Sequence, residues 1–487
     1  MSILVVDVGT SGLRAAVVRQ DGSIHFLNYE SCRPDTPGPG LVEFDPQKMA
    51  DAVLRVCNAT IAQSKNSDKI EAVGITNQRA STVMWSKSTG KPLGPALGWQ
   101  DLRTVIDCIT TATEHSIKLA PNQTATKAAW MIQNYVVAKN LDFSDVRIGT
   151  VDSWIASVLS NNELHVTDST NAGATGLCTL DASSWSERIC DLLKVEVSLL
   201  PKIVKSTGII GNATALPGSP PIASLIGDQQ SSLIGQGCIS SGATKITFGT
   251  GGMLDVFTGT TSPTRMQRSE NGSYPLVAYS DEQTTFWAAE AIMLSAGTNI
   301  EWLRDDLQII STSQESHEIA MQVKDSGGVV FVPALFGLGT PHWDYGARGT
   351  LLGLTRGTTR AHIVRAVLEG VAHRGADMLE AVIADTKLSV SSLRVDGGMS
   401  QNQTFTQSLA NSTGLNIEIS PVTEATTLGA AFLAGVAVST WPSISQATST
   451  TKPAKVVTPT RKLDRAQWHE AIDRSRGWIA SLSSLDF

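Results

Sequence analysis

The feature that most constrains the fold is a Gly-rich turn that occurs twice. Near the start of the chain, the apolar run 3–6 leads into Asp7-Val-Gly-Thr-Ser-Gly12, and a second extended segment follows. Far downstream, the run 244–248 leads into Gly249-Thr-Gly-Gly252 in the same way. Two strand–turn–strand hairpins at the heads of comparable halves predict two domains of one ancestry. We place these domains at 1–240 and 241–487.

Strands and helices alternate between these landmarks, which favours an α/β architecture. A buried strand is predicted at 222–226, and the clearest helix at 359–382, where apolar residues recur every three or four positions. Asp396-Gly-Gly398 forms a third Gly-rich turn before a helical pattern at 401–413. We predict that Asp464 caps a last helix whose inward-facing residues are Trp468, Ile472 and either Trp478 or Ile479.

Charge and composition exclude several classes of protein. With 38 Lys+Arg against 45 Asp+Glu, the net charge is −7, so we expect no nucleic-acid partner. No apolar stretch approaches the length of a membrane span, and the N-terminus lacks the basic flank of a signal peptide. The 6 cysteines form no Cys-x-x-Cys pair, which indicates reduced thiols. We therefore expect a cytoplasmic protein without a membrane partner.

The first Gly-rich turn can bind an anion, because consecutive backbone N–H groups and Gly let a phosphate approach closely. The hydroxyls of Thr10 and Ser11 and the charge of Arg14 would add to this. Asp7 would repel a bare phosphate unless a divalent cation lies between them. The alternative is a tight hairpin turn with no ligand. Neither the dinucleotide-binding Gly-x-Gly-x-x-Gly motif nor the Walker motif is present.

Three polar clusters follow predicted strands and are candidates for a reaction site. Asp228 comes directly after the buried strand 222–226, where it could accept a proton from a hydroxyl or, alternatively, cap a helix. The segments 76–79 and 98–101 could line a sugar site or form solvated loops.

Taken in order, these segments resemble the FGGY carbohydrate kinase family, and within it the glycerol kinase branch. The resemblance covers nearly the whole chain. Its specific matches are Asp7-Val-Gly-Thr-Ser-Gly-Leu-Arg14, Gly40-Leu-Val-Glu-Phe-Asp-Pro46, Gly74-Ile-Thr-Asn-Gln-Arg79, Thr126-Lys-Ala-Ala-Trp130, Gly227-Asp-Gln-Gln230, Phe248-Gly-Thr-Gly251, the segment 349–369, Asp396-Gly-Gly398 and Thr427-Leu-Gly-Ala-Ala431.

The resemblance implies an α/β fold of two ribonuclease-H-like (actin-type) domains that flank an interdomain catalytic cleft. It implies that ATP and Mg²⁺ bind there and that Asp228 is the general base for an attacking hydroxyl. Asp7 would lie beside Mg²⁺, through water. The positions that correspond to nucleotide-binding residues are Thr10, Ser11, Gly12, Arg14, Thr250, Gly297, Gly398 and Asn402.

The substrate pocket departs from the glycerol kinase pattern. That branch has Arg-Glu where this chain has Arg79-Ala80, Pro-Tyr-Phe where this chain has Pro121-Asn122-Gln123, and Phe where this chain has Met253. This chain shares Arg79, Trp99, Asp228 and Gln229 with that branch. Losing hydrogen-bond partners for a buried hydroxyl changes discrimination between substrates by orders of magnitude.

We therefore expect a tetritol, a pentitol or a ketopentose as the small-molecule substrate. The alternatives are a true glycerol kinase and a catalytically inactive sugar-sensing homologue. The actin-type fold also hosts chaperone ATPases and filament proteins, but the chain has no room for a separate peptide-binding domain.

Two further expectations follow from the resemblance. Feedback-inhibited bacterial glycerol kinases carry Gly-Gly-Thr-Arg where this chain has Ala213-Thr-Ala-Leu-Pro-Gly-Ser-Pro-Pro221. Because no Arg is present to pair with phosphate, we predict no inhibition by fructose 1,6-bisphosphate. Members of the family often form homodimers or homotetramers, so either assembly is expected.

Overall fold

The computed structural model describes residues 1–65, 67–422 and 424–485. The strands are β1 (Ser2–Val8), β2 (Gly12–Arg19), β3 (Ile24–Ser31), β4 (Asp35–Gly38), β5 (Leu41–Phe44), β6 (Ile70–Asn77), β7 (Thr82–Ser86), β8 (Ala96–Leu97), β9 (Val146–Thr150), β10 (Val166–Asp168), β11 (Lys202–Val204), β12 (Thr207–Asn212), β13 (Pro221–Gly227), β14 (Thr244–Phe248), β15 (Gly252–Gly259), β16 (Tyr274–Ser280), β17 (Thr285–Met293), β18 (Val330–Val332), β19 (Thr350–Leu352), β20 (Ser392–Asp396), β21 (Asn416–Ile419) and β22 (Lys455–Val457).

The α-helices are α1 (Pro46–Ser64), α2 (Val105–His115), α3 (Thr124–Met131), α4 (Val151–Leu159), α5 (Ser169–Gly173), α6 (Glu187–Leu193), α7 (Asp228–Gly235), α8 (Thr298–Glu301), α9 (Glu315–Ala320), α10 (Arg360–Thr386), α11 (Gln403–Thr413), α12 (Ala425–Ala437), α13 (Ile444–Thr448), α14 (Arg465–Ser475) and α15 (Ala480–Ser483). Short π-helical or 3-10 segments occur at Ile132–Val137, Phe143–Asp145, Val197–Leu199, Trp302–Asp306 and Gly398–Gln401.

The N-terminal half is built on a six-stranded sheet in the order β12-β13-β6-β1-β2-β3. The first predicted hairpin is confirmed, because β1 pairs antiparallel with β2 across the Gly-rich turn. Strands β6 and β13 run parallel to β1, with Val8 opposite Asn77 and Asn77 opposite Gly227. The carboxyl ends of these three strands therefore meet at one edge, which is where open α/β sheets bind ligands.

The C-terminal half repeats this plan in a seven-stranded sheet, ordered β16-β17-β15-β14-β20-β21-β22. The second predicted hairpin is also confirmed, since β14 pairs antiparallel with β15. Strand β20 runs parallel to β14, so Asp396 at its end lies opposite Thr247. A smaller five-stranded sheet, β4-β5-β8-β7-β9, extends the N-terminal half.

Local sequence explains most boundaries of these elements. Strand β1 is buried along its whole length because helices pack on its sheet, which explains its apolar run 3–6. The helix predicted at 359–382 runs from Arg360 to Thr386, and the one predicted at 401–413 begins at Gln403. Asp464 caps α14, as predicted, by accepting from the backbone N–H of Gln467. Trp478, however, is 76% exposed, because α14 ends before it at Ser475.

Two helices join the halves where they face one another. Helix α12 belongs to the C-terminal half of the sequence, yet it packs on β13, β6 and β1 of the N-terminal sheet and crosses α7. At the crossing, a Cβ added to Gly429 would clash with the Ser231 backbone carbonyl. Likewise, a Cβ added to Gly235 would clash with the Ala425 backbone carbonyl. Residues of both halves, including Ile226, share one buried apolar cluster here. The close approach fixes the position of α7, whose first residue is Asp228.

Within the described residues, no helix combines the length and apolar character needed to cross a bilayer.

Candidate active site

Asp7 and Asp228 lie at the shared carboxyl edge of the N-terminal sheet, near the end of β1 and just after β13. Burial and the negative charges of Asp228 and Glu424 together raise the pKa of Asp7 to about 7, although the positive charge of Arg14 opposes them. The Arg14 Nε atom lies 3.5 Å from the Asp7 carboxylate. The cleft thus concentrates negative charge around a carboxylate that has little access to water.

Asp228 is the first helical residue of α7 and is not its cap. The N-cap position is Gly227, and no side chain caps this helix end. The Asp228 carboxylate accepts a hydrogen bond from the adjacent Gln229 N–H at 2.8 Å and remains partly accessible. Burial raises its pKa, while the positive charges of Arg79 and Lys245 act in the opposite direction. A partly accessible carboxylate with a raised pKa has the properties of a proton acceptor.

The first Gly-rich turn is closed by a hydrogen bond from Gly9 N–H to the Gly12 carbonyl at 3.0 Å. The Thr10 hydroxyl accepts from the indole N–H of Trp99 at 3.1 Å, which ties this turn to the segment 98–101. Ser11 is exposed at the tip. A side chain at Gly12 would collide with the Tyr29 ring, so this position requires Gly for packing as well as for access.

Arg14 forms an ion pair that sequence reasoning did not foresee. Its Nη1 donates to the carboxylate of Glu424, which comes from the loop before α12. The Arg14 Nε atom is buried and has no hydrogen-bond partner among the described residues. Arg14 therefore bridges the two halves, in addition to lying beside the first turn.

The second Gly-rich turn joins β14 to β15. The Thr250 carbonyl accepts from Ala296 N–H at 2.9 Å, and Gly297 N–H donates to the Gly249 carbonyl at 2.9 Å. A Cβ on Gly297 would lie 2.6 Å from that carbonyl, so the chain after β17 packs directly against the turn. The Thr250 side chain is exposed.

The third Gly-rich turn, Asp396-Gly-Gly398, leads towards the start of helix α11. Gly397 has φ +85° and lies against the Phe248 backbone, which a side chain would displace. Gly398 has open space where a Cβ would point. Asn402 caps α11 by accepting from Phe405 N–H at 3.0 Å and donates to the Ser316 hydroxyl at 2.9 Å. A structural capping role thus accounts for the Asn402 side chain in this structure.

On the substrate side, Arg79 lies beside the candidate base. Its Nε is 3.8 Å from an Asp228 oxygen, and its Nη2 donates to Glu290 of the other half at 2.7 Å. Gln229 follows Asp228 and accepts from the fully buried Lys245 ammonium at 2.8 Å. The opposite charges of Glu290 and Asp228 raise the pKa of Arg79 despite its burial. The site is therefore a network of alternating charges that spans both halves.

The three positions that depart from the glycerol kinase pattern have different environments. Ala80 is buried and has φ +62°, a left-handed conformation held by hydrogen bonds from Thr82 and Thr124 to its carbonyl. Asn122 is exposed in the turn before α3. Met253 is half-buried on β15, opposite Thr247.

A shallow cavity opens beside this site, next to the Trp99–Thr10 hydrogen bond. Its lining combines polar and apolar side chains, namely those of Thr10, Val42, Phe44, Met49, Gln78 and Gln100.

Sequence reasoning missed Glu290, Lys245, Asp255 and Glu424, all of which contact or surround the site. The sequence did carry a signal for Lys245, Asp255 and Glu290, because each is the single charged residue of its strand, β14, β15 and β17, respectively. Such a residue is rarely buried without a partner. Glu424 lies in a loop and carried no comparable signal.

Comparison with known proteins agrees with this geometry. The N-terminal and C-terminal domains of the FGGY family of carbohydrate kinases match residues 2–235 and 244–438. A glycerol kinase of Trichlorobacter lovleyi is 37% identical over 98% of this chain and 99% of its own length. Glycerol kinase 2 of Thermotoga maritima is 36% identical over 98% of this chain and 99% of its own length.

Solved structures have the same fold. The Plasmodium falciparum glycerol kinase with ADP superposes with a TM-score of 0.90 at 30% identity, covering 97% of this chain and 98% of its own. A ligand-bound xylulose kinase from Lactobacillus acidophilus gives a TM-score of 0.82 at 22% identity, covering 97% and 96%. This chain belongs to the FGGY family of carbohydrate kinases, phosphotransferases that act on a hydroxyl group, and has their two-domain, actin-like fold.

Proposed function

We propose that this chain transfers the γ-phosphoryl group of ATP to a hydroxyl of a small polyol or ketose, with Asp228 as general base. The observation that carries the proposal is the placement of Asp228. It is a partly accessible carboxylate of raised pKa that lies 3.8 Å from Arg79, and its neighbours Arg79 and Gln229 pair with Glu290 and Lys245 of the other half.

In this reaction the substrate hydroxyl oxygen attacks the γ-phosphorus of ATP. The bond between that phosphorus and the β,γ-bridging oxygen breaks, ADP leaves, and the hydroxyl proton passes to an Asp228 oxygen. Arg79, beside Asp228, orients the substrate by donating hydrogen bonds. Such a transfer depends mainly on positioning and on neutralising charge, which cleft residues from two facing halves can provide.

Nucleotide binding is assigned to the three Gly-rich turns. The backbone N–H groups and hydroxyls of Thr10, Ser11 and Gly12 would hold phosphate oxygens from one side, and Thr250 would do so from the other. Gly297, Gly398 and Asn402 would border the rest of the nucleotide. The open space at Gly398 and the exposed Thr250 hydroxyl are consistent with these roles.

The residues around Asp7 fit a divalent cation, which we propose to be Mg²⁺. Asp7 is buried, and the negative charges of Asp228 and Glu424 act on it against the positive charge of Arg14, whose Nε lies 3.5 Å away. Asp7 would hold the ion through water. A bound Mg²⁺ supplies neutralisation of the phosphate charges.

For the substrate, we propose a tetritol, a pentitol or a ketopentose. Ala80 places a methyl group where the glycerol kinase pattern has a carboxylate, and Asn122 and Met253 stand where it has Tyr and Phe. Glycerol is the second candidate, since relatives at 34–37% identity bear the name glycerol kinase.

Three remaining predictions concern inhibition, cellular location and assembly. The loop around Ala213-Thr-Ala-Leu-Pro-Gly-Ser-Pro-Pro221 lacks an Arg, so we propose that fructose 1,6-bisphosphate does not inhibit this enzyme. A saturable inhibition curve at millimolar concentration would contradict this. A cytoplasmic location and assembly into homodimers or homotetramers stay predictions.

The proposal is tested by measuring ADP release with Mg-ATP across glycerol, tetritols, pentitols, ketopentoses and ketohexoses. One acceptor should raise ADP release, and Asp228→Asn should reduce kcat on it by a factor of roughly 100 to 10,000. The matched control is Asp191→Asn, because Asp191 is exposed on α6 in the same half and should leave kcat unchanged. If no acceptor raises ADP release, the inactive-homologue alternative replaces this proposal.

A further inference from the structure

Three buried charges stand side by side across the C-terminal sheet. Lys245 on β14 is the cross-strand neighbour of Asp255 on β15, and Asp255 is the neighbour of Glu290 on β17. Their exposures are 0%, 1% and 6%, respectively. The Lys245 ammonium lies 2.7 Å from an Asp255 oxygen. Because cross-strand neighbours point to the same face, these side chains form one row, which we call the charged row.

The charged row contacts the N-terminal half on both sides of Asp228. At one end, Glu290 accepts from Arg79 Nη2 at 2.7 Å. At the other end, Lys245 Nζ donates to the Gln229 side-chain oxygen at 2.8 Å. Arg79 and Gln229 both border Asp228, so the charged row holds the two polar neighbours of the base.

The contact with Lys245 fixes which end of the Gln229 amide faces the cleft. An ammonium group can only donate hydrogen bonds, so Gln229 has to offer it the amide oxygen. The amide N–H2 group is then the end that remains for a ligand, and no acceptor in the described part of the chain bonds it. The guanidinium of Arg79 is likewise a donor only.

Acceptors for a substrate proton are scarce at the same place. Asp228 takes the proton of the attacked hydroxyl, Glu290 is only 6% exposed and already accepts from Arg79, and Ala80 offers only a methyl side chain. A second hydroxyl held between Arg79 and Gln229 could accept their hydrogen bonds, but its own proton would be left without a partner. A carbonyl oxygen has no such proton and fits two donors without loss.

We propose that Lys245 is a positioning residue that locks the Gln229 amide as a donor, and that Gln229 and Arg79 together select a ketone oxygen next to the phosphorylated hydroxyl. The substrate class is therefore a ketose in preference to the corresponding alditol. This inference rests on the proposed kinase function and narrows its substrate.

The test compares matched pairs that differ only in the ketone: dihydroxyacetone with glycerol, D-ribulose with ribitol, and D-xylulose with xylitol. For each pair, kcat/KM is measured with Mg-ATP, and the dissociation constant is measured by calorimetry without nucleotide. For the best pair, we expect the ketone compound to be favoured about tenfold or more in both measurements, the range for a buried hydrogen-bonding group left unpaired.

Two variants examine the role of the amide. Gln229→Glu keeps the shape but replaces the donor by an acceptor, so the ketone preference should fall about tenfold while the KM for ATP is unchanged. The double variant Lys245→Met with Asp255→Leu replaces the buried ion pair by apolar groups of similar size, an exchange that proteins often tolerate. It frees the amide to rotate, so the ketone preference should decline towards one without loss of folding.

Thr247→Val is the matched control, because it removes the hydroxyl to which Lys245 also donates, at 3.1 Å, and leaves the contact between Lys245 and the Gln229 amide oxygen in place. Its ketone preference should equal that of the unmodified protein. A ketone preference of one or less in the unmodified protein overturns the inference, as does a preference that both Gln229→Glu and the double variant leave unchanged. If no acceptor is phosphorylated, the proposed function fails, and the calorimetric preference still decides this inference.

Discussion

Replacing Gly429 with Ala should disturb the crossing of α7 and α12 and, through it, the position of Asp228. A Cβ at Gly429 would meet the Ser231 backbone carbonyl well inside 3.0 Å, a separation that real Cβ atoms essentially never go below. The carbonyl belongs to α7 and cannot rotate away, so the two helices have to separate.

The expected cost combines two opposing effects. Overpacking of a tight interface costs about 1–3 kcal/mol or more, and the clash at Gly429 is with backbone, which places it at the upper end. Ala is better than Gly within a helix by about 1 kcal/mol. The free energy of unfolding should therefore fall by about 2 kcal/mol. Because a displacement near 1 Å can reduce a rate about 100-fold, kcat should fall by that order.

Urea unfolding and kcat at saturating acceptor measure the two effects. Gly173→Ala on α5 is the matched control, since a Cβ there finds its nearest atoms at ordinary distances of 3.6–4.0 Å. It should be neutral or slightly stabilising. If Gly429→Ala is as stable and as active as the unmodified protein, the close contact with α12 does not hold α7 in position, and this explanation of how Asp228 is positioned is wrong.

Three further outcomes are expected. Ala80→Glu restores a carboxylate in the pocket and should raise kcat/KM for glycerol about tenfold; an unchanged value would mean that residue 80 does not contact substrate. Burial raises the pKa of Asp228, so kcat/KM should fall on acidification at a pH above the ordinary Asp range. The positive charge of Arg79 opposes this rise, so Arg79→Met should move the fall in kcat/KM up by about one pH unit. A fall at the same pH would show that the charge of Arg79 does not act on Asp228. Burial lowers the pKa of His373 to about 3, so the stability that its neutral form contributes is complete above about pH 6.5 and is lost as the pH falls towards 3. His373→Phe keeps the ring stacked on Trp468, 4.8 Å away, and should reduce the loss in unfolding free energy between pH 7 and 5 by about 2 kcal/mol in urea titrations.

Local patterns predicted the elements whose signal lies within a few neighbouring residues. The two Gly-rich hairpins, the strand that became β13 and the cap at Asp464 all follow from apolar runs and turn or capping chemistry. Of the two alternatives for the last inward-facing residue, Ile479 is half-buried and Trp478 is exposed, because α14 ends at Ser475 and its periodicity does not continue to Trp478.

The charge network of the site could not be predicted in the same way. The pairing of Arg79 with Glu290 joins residues more than 200 positions apart, and it depends on how one half packs on the other. The register that aligns Lys245, Asp255 and Glu290 is likewise a property of the sheet. Sequence alone indicated only that charged residues within apolar strands need partners.

The capping alternative for Asp228 could be decided only from the structure. Both interpretations require a carboxylate after a buried strand, and they differ by one residue in where the helix begins. The structure begins α7 at Asp228 itself, with Gly227 at the N-cap position, so the carboxylate lies inside the first turn and accepts from the N–H of the next residue, Gln229.

The central claim is that a kinase active site built around Asp228 acts on a substrate larger than glycerol. It is tested most directly by one competition reaction that contains Mg-ATP and equal concentrations of glycerol, erythritol, ribitol, D-ribulose and D-xylulose, with the phosphorylated products identified by mass spectrometry. The account predicts that a four- or five-carbon phosphate is the main product and that it is absent with Asp228→Asn. Glycerol phosphate as the main product would contradict it.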